Sequence, residues 1–216
     1  MEAQLVPDIP EGPGWLYEPK WDGFRCLIFK DGGTVVLQSK SGQRLGRYFP
    51  ELVDAIAALQ APRLVLDGEI VLLRGRQLQF DALLQRIHPA ESRVRKLAAE
   101  TPCTVMVFDL LVDPEGTSMV DVDLAERRRR LEAWFASAKP GKQLRLSPAK
   151  PDRRQALAWM TDWAAYGCDG VVAKHLAMGY RSGERDGMVK VKRIRTADCV
   201  VGGFRYDQTG RKIGSL

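Results

Sequence analysis

The chain has 216 residues, 45% of them hydrophobic and 28% charged, which fits a soluble globular protein with one large domain and a substantial core. A net charge of +6 and a pI near 9.2 tilt it toward an anionic partner such as nucleic acid or nucleotide phosphate. There is no run of eighteen apolar residues, no basic-then-apolar leader in MEAQLVPDIPEGPGW, and no CxxC pair among Cys26, Cys103, Cys168 and Cys199. These absences argue against a membrane span, an export signal and a zinc knuckle, and lead us to expect reduced, mostly buried thiols in a cytosolic protein.

In chain order, FRCLIFK, DGG and TVVLQSK predict a β-hairpin, two β-rich runs joined by a turn that tolerates positive φ. FPELVDAIAALQ has helical spacing at Phe49, Leu52, Val53, Ile56 and Leu59. RLVLDGEIVLL reads as a buried strand pair or a single kinked strand carrying carboxylates inward, DALLQRIH as a short helix and VMVFDLL as a buried strand. DLAERRRRLEAWFASA predicts an amphipathic helix with Asp123 as N-cap and Glu126 three residues on. In that helix Arg127 to Arg130 read as a solvated face. DRRQALAWMTDWAAYG predicts another helix, with Trp159 and Trp163 in its core face and Gly167 as C-cap. DGVVAKH and GMVKVKR read as strands, and CVVGGFRYDQTGRKIGSL as the opening hairpin of a further unit. Helices and strands alternate irregularly and hairpins join neighbours, so the expected class is α+β with antiparallel or mixed sheets.

Charge is placed unusually. Lys20 and Asp22, Asp67 and Glu69, Asp169 and Lys174, and Lys190 and Lys192 all sit inside otherwise apolar β-like runs. Residues two apart in a strand share a face, and burying such groups singly costs several kcal/mol each. Four strands with this feature predict one shared polar cavity. Lysines beside acids suit a polyphosphate with a divalent metal, the lysines on phosphate oxygens and the carboxylates on the ion.

Lys20-Trp21-Asp22-Gly23 matches the K-x-D-G pattern of covalent nucleotidyltransferases. Ser39-Lys40-Ser41-Gly42, Leu66-Asp67-Gly68-Glu69, Phe108-Asp109, Asp169-Gly170-Val171-Val172-Ala173-Lys174 and Val189-Lys190-Val191-Lys192 resemble that group's further elements, in order. K-x-D-G alone is weak, but five more ordered elements make chance a poor explanation. Over roughly residues 15 to 195 the chain resembles the adenylation domain of ATP-dependent DNA ligases of the bacterial repair type. The resemblance implies an ATP-grasp-like nucleotidyltransferase fold, ATP with Mg²⁺ or Mn²⁺, AMP carried covalently on Lys20, and nicked duplex DNA handled by a monomer.

It also implies roles for the site residues. Glu18 is expected near adenine, Arg25 near the ribose or the 3′ side, and Phe108 stacked on the base. Glu69 and Asp169 are expected on ribose and metal, and Lys174, Lys190 and Lys192 on phosphates. An ordinary lysine is neutral in only about one molecule in a few thousand at pH 7, so Lys20 needs help. Arg25, Lys190, Lys192 and a metal ion are the candidates to lower its pKa. Two positions depart from the pattern: Asp169 stands where glutamate is usual, and Lys40 where arginine is common, without its bidentate fork.

Some readings stay open at this stage. Asp67 is either a turn or cap residue or a functional carboxylate, and Phe108 is either core or stacking platform. Asp109 reads as structural and His88 as a cap or surface residue. Lys40, Arg44 and Arg47 are candidates for DNA phosphate contact against a solvated loop. Residues 1–195 are expected to form the adenylation domain and 196–216 the first hairpin of an OB-fold domain. With the rest of that barrel and its sixth element absent, self-adenylation is expected to be impaired. The alternatives are an RNA ligase, a GTP-using capping guanylyltransferase, or a catalytically silent nucleic-acid-binding module.

Overall fold

The computed structural model describes residues 1–193, 200, 202–207, 209–210 and 212–215. Its elements in order are β1 (Gln4–Leu5), β2 (Trp15–Lys20), β3 (Phe24–Asp31), β4 (Thr34–Ser39), α1 (Pro50–Ala57), β5 (Arg63–Val71), β6 (Leu73–Arg74) and β7 (Gln77–Leu78). There follow α2 (Phe80–Leu84), α3 (Glu91–Glu100), β8 (Thr104–Val112), α4 (Leu124–Ala138), β9 (Leu144–Leu146) and α5 (Arg153–Asp162). The last are β10 (Gly170–His175), β11 (Met188–Lys192), β12 (Arg205–Tyr206) and β13 (Ile213–Ser215).

Two sheets organise these elements. One has the order β4-β3-β5-β8-β9 and the other β1-β11-β10-β2. Only β8–β9 and β1–β11 pair in parallel, so the expected mixture of α+β with antiparallel and mixed sheets is what forms. Helix α1 seals the first sheet, with Leu52 and Ile56 one turn apart in a cluster with Ile28, Leu37, Leu66 and Ile70. Helix α5 covers the second, with Ala156 and Trp159 against Tyr17, Val171, Ala173 and Val191. A third cluster of Leu111, Tyr180 and Met188, backed by Leu27, Val65 and Val172, draws on strands of both sheets and holds their faces together.

Two Asp-Gly steps owe their glycine to close strand approach. A Cβ on Gly23 would stand 2.1 Å from the Ile70 carbonyl oxygen. One on Gly170, whose φ is +151°, would stand 2.0 Å from that of Val191. Any larger residue must push a neighbouring strand away.

Several expectations are corrected or refined. RLVLDGEIVLL forms one strand, β5, whose pairing with β8 shifts register at Val65/Leu66 and Asp67/Gly68. The helix expected over DALLQRIH is shorter, Phe80–Leu84. Helix α3 has no counterpart in the expectations, because Val94 and Ala98 are its only buried residues and its apolar stripe is thin. The helix expected over 152–167 stops at Asp162 and tightens into a 3-10 turn, Trp163–Tyr166, before Gly167 at φ 90°. Asp123 caps α4 as expected, accepting from the Glu126 amide.

The solvated face expected of Arg127 to Arg130 is half wrong. Arg127 and Arg128 are 1% and 7% exposed, because they fall on the helix stripe of Leu124, Leu131 and Trp134. Arg129 and Arg130 do face outward and pair with Glu126. Cys26, Cys103 and Cys168 are buried free thiols, pushed up to about 12 by burial, and Cys199 lies outside the described residues. No described helix is long and apolar enough to cross a membrane.

Candidate active site

Strand register gathers the charged residues. Gly170 faces Lys20 on one side and Lys192 on the other. Two residues along, Val172 faces Glu18 and Lys190. The period-two alternation therefore places Glu18, Lys20, Lys174, Lys190 and Lys192 on one face of this sheet. Across from them, Arg25 on β3 faces Glu69 on β5. Phe108 falls in the register shift of β8, between the pairs Asp67–Asp109 and Gly68–Val107. A bulge re-aims a side chain, and here it turns Phe108 out of the apolar clusters and into the cavity.

The cavity between the sheets has a volume of about 460 Å³, within the usual range for ligand pockets. Glu18, Lys20, Arg25, Lys40, Glu69, Phe108, Lys174 and Lys190 all line it. The shared polar cavity expected from the sequence is thus present. Asp169 and Lys192 stand at its edge through Lys20: Lys20 Nζ donates to Asp169 Oδ2 at 2.8 Å, and Lys192 Nζ is 3.3 Å from the same oxygen. Burial raises the Asp169 pKa, but the two lysines outweigh it and hold the carboxyl below its ordinary value. Asp169 therefore anchors the Lys20 amine.

Glu18 and Lys174 form a buried ion pair at 2.8 Å. The contact is poorly angled for a hydrogen bond, so Glu18 Oε1 and Lys174 Nζ keep unused bonding capacity inside the cavity wall. Unsatisfied buried groups of this kind are destabilising until a ligand meets them. Phe108 lies between two cations, with Lys174 Nζ 4.2 Å and Arg25 Cζ 5.3 Å from its ring centroid. Arg25 is itself clamped, its Nε donating to Asp67 Oδ1 at 2.7 Å while the Tyr180 hydroxyl donates to Asp67 Oδ2 at 2.8 Å. Asp67, left open by the sequence, is thus a buried strand residue that orients Arg25 and is neither turn nor cap.

Of the three candidates for DNA phosphate contact, one lines the cavity and two stand apart from it. Lys40 lines the cavity but is tied to Glu2 at 2.9 Å. Arg44 is exposed on a bridge to Gln38, and Arg47 donates to the Pro89 carbonyl at 3.1 Å while lying over Tyr48. Neither arginine lines the cavity. Sequence reasoning missed Glu2, Tyr180 and Arg185, since the contacts that matter are long-range: Glu2 with Lys40 and Arg185, and Tyr180 with Asp67. His88 caps no helix amide: its Nδ1 accepts from the Ala90 amide at 3.0 Å in the turn before α3, whose N-cap, Ala90, has no side-chain cap bond.

The model of the ATP dependent DNA ligase domain matches residues 3–192. The chain belongs to this ligase family. Over its whole length it is 45% identical to DNA ligase C2 of Mycolicibacterium smegmatis and 44% identical to DNA ligase C of Mycobacterium tuberculosis. It spans about 60% of the length of these curated relatives. A solved mycobacterial DNA ligase D complexed with ATP and MES superposes with a TM-score of 0.63 at 28% identity, covering 94% of this chain and 64% of that one.

In the ligase domain Glu69 carries a pH signature. Burial pushes its pKa up to about 8, with Arg25 and Lys20 opposing that rise. A carboxyl raised in the folded state binds more protons there than when unfolded, so stability falls as pH rises from its unfolded value, near 4.5, to about 8. We expect the metal-free chain to lose stability across that window, and Glu69→Gln to flatten the slope. Denaturant midpoints at pH 5, 6.5 and 8 check this. Identical pH profiles for the two proteins would contradict it.

Proposed function

We propose that the ligase domain charges itself with AMP from ATP and passes it to the 5′-phosphate of nicked duplex DNA, whose 3′-hydroxyl then displaces AMP to seal the strand. The observation that carries this is the Lys20 amine, held by Asp169 at the wall of a nucleotide-sized cavity. Lys20 Nζ attacks the α-phosphorus of ATP and forms a P–N bond. The bond to the β-phosphate oxygen breaks and pyrophosphate leaves with the electron pair, while Nζ, having lost one proton to solvent before attack, loses a second to solvent as the P–N bond forms and keeps one N–H in the phosphoramidate.

The unsatisfied Glu18 Oε1 suits the exocyclic amine of adenine, a donor that guanine lacks at that position. Phe108 suits the base face, and Lys190 and Lys192 the charge that builds on the phosphates. Lys174 Nζ has capacity for a phosphate oxygen beyond its pairing with Glu18. Glu69 and Asp169 fit Mg²⁺ or Mn²⁺ only in company with phosphate, since no three potential ligands gather into a metal site among the described residues. Such a cation would neutralise charge on the polyphosphate. Residues 1–195 fit the catalytic unit. The β12–β13 hairpin, paired with neither main sheet, supports reading 196–216 as the start of a further domain.

Intact mass of the chain after incubation with ATP or GTP and either cation tests the proposal. We expect an adduct of one AMP from ATP and none from GTP. Equal labelling by GTP, or neither an adduct nor saturable ATP binding, would overturn it.

A further inference from the structure

The ring of Trp21, next to the reactive lysine, borders two cavities. One is the nucleotide cavity. The other is a smaller cleft of about 200 Å³ with no assigned role. Trp21 Nε1 donates to Ser147 Oγ at 2.9 Å, which fixes the indole as a partition. In the second cleft Trp163 stands 5.6 Å from Trp21 by ring centroids, and Arg76 lies 4.5 Å over the ring of Tyr166. Gly167 makes this wall possible: at φ +90 its hypothetical Cβ would sit 3.0 Å from Leu78 Cβ, so the 3-10 turn carrying Trp163 and Tyr166 presses directly on the β6–β7 hairpin.

Two cations and no carboxylate line the cleft. Arg76 from the hairpin and Arg145 from β9 are exposed and line it, and neither makes an ion pair among the described residues. Aromatic faces flanked by unpaired arginines are the chemistry of single-stranded nucleic acid, with bases on the rings and backbone phosphates on the cations. The volume is less than half that of the nucleotide cavity, which suits one base and excludes a nucleoside triphosphate.

We propose that this cleft is a subsite for one unpaired nucleotide of the DNA strand, its base among Trp21, Trp163 and Tyr166 and its phosphates on Arg76 and Arg145. A base inside a duplex cannot reach side-chain rings, so the subsite favours overhangs and frayed ends over blunt or fully paired DNA. Trp21 is shared, so strand engagement and the lysine that carries AMP touch one side chain.

The inference rests on the reading of the chain as a DNA-handling ligase domain, and the test separates the two. Fluorescence anisotropy of the full chain is measured with a short oligo-dT, a duplex bearing a 5′ overhang, and a blunt duplex. Tyr166→Ala is expected to weaken the first two by roughly ten-fold and the blunt duplex by less than about two-fold, while Tyr166→Phe retains binding. Arg76→Ala with Arg145→Ala is expected to lower the salt slope for the overhang by about 1 to 2. The AMP adduct formed from ATP is expected to be unchanged in all three variants. A native chain that binds overhang and blunt duplex alike, or a Tyr166→Ala chain that weakens every DNA equally or none, would overturn the subsite. Absence of both the adduct and saturable ATP binding in the native chain would instead strike the ligase reading and leave the DNA-binding result standing.

Discussion

Lys20→Ala is expected to reduce the ATP-dependent AMP adduct to background while the chain stays folded. The prediction is demanding because five lysines line or border this site, and one of them is a chemical rival. Burial, helped by the charges of Lys192, Lys20, Lys40 and Arg185, holds Lys190 below the ordinary lysine pKa, which makes its amine the easier one to deprotonate. Lys174 is engaged by Glu18 and Lys192 by Asp169. Geometry still favours Lys20, which is seated on Asp169 at 2.8 Å and lines the cavity, whereas Lys192 meets the same oxygen at 3.3 Å from its edge. Lys190→Ala should therefore slow adduct formation by about 10² to 10³, the range for losing one preorganised electrostatic contact, without abolishing it. Intact-mass time courses of both variants decide the matter. An adduct that persists in Lys20→Ala and disappears in Lys190→Ala would transfer the nucleophile to Lys190. Lys20 is partly exposed and Asp169 keeps Lys192, so its removal should change stability by at most about 1 kcal/mol.

What the sequence made legible was short in range. K-x-D-G, the Asp-Gly-Glu run and the two lysines of Val189-Lys190-Val191-Lys192 identify strands with charges on one face, because period-two alternation is local. The hairpin of β3 and β4 and the cap of α4 were equally local. The bulge that frees Phe108 was not visible, since a register shift belongs to two strands at once. Nor was the clamp on Arg25, whose Asp67 and Tyr180 partners lie 42 and 155 residues away. The error at Arg127 and Arg128 had a readable remedy. They occupy the slots between Leu124, Leu131 and Trp134 that a helix turns inward. A run of four arginines hides that phase if it is taken as one block of charge.

Arg127 explains why those slots matter. It is buried with Asp109, its Nε and Nη2 meeting the two carboxylate oxygens at 2.8 and 3.0 Å. Its remaining Nη1 donates to the Val122 and Met178 carbonyls. One side chain thus joins α4 to β8, beside the Phe108 bulge, and to the segment that carries Tyr180 toward Asp67. Arg127→Met leaves Asp109 buried with its charge unmet, which for a buried pair typically costs about 3–5 kcal/mol. We expect a loss of that size in the urea midpoint at unchanged slope, together with weaker ATP binding as the Tyr180–Asp67–Arg25 chain loosens. Arg129→Ala, on the outward face, should leave the midpoint where it was. The double change Asp109→Leu with Arg127→Met separates charge from packing. If the penalty is an orphaned carboxylate, the double variant recovers most of the lost stability, because apolar groups of similar volume can replace a buried pair. If it stays as unstable as Arg127→Met, the backbone carbonyls of Val122 and Met178 are what the guanidinium secures.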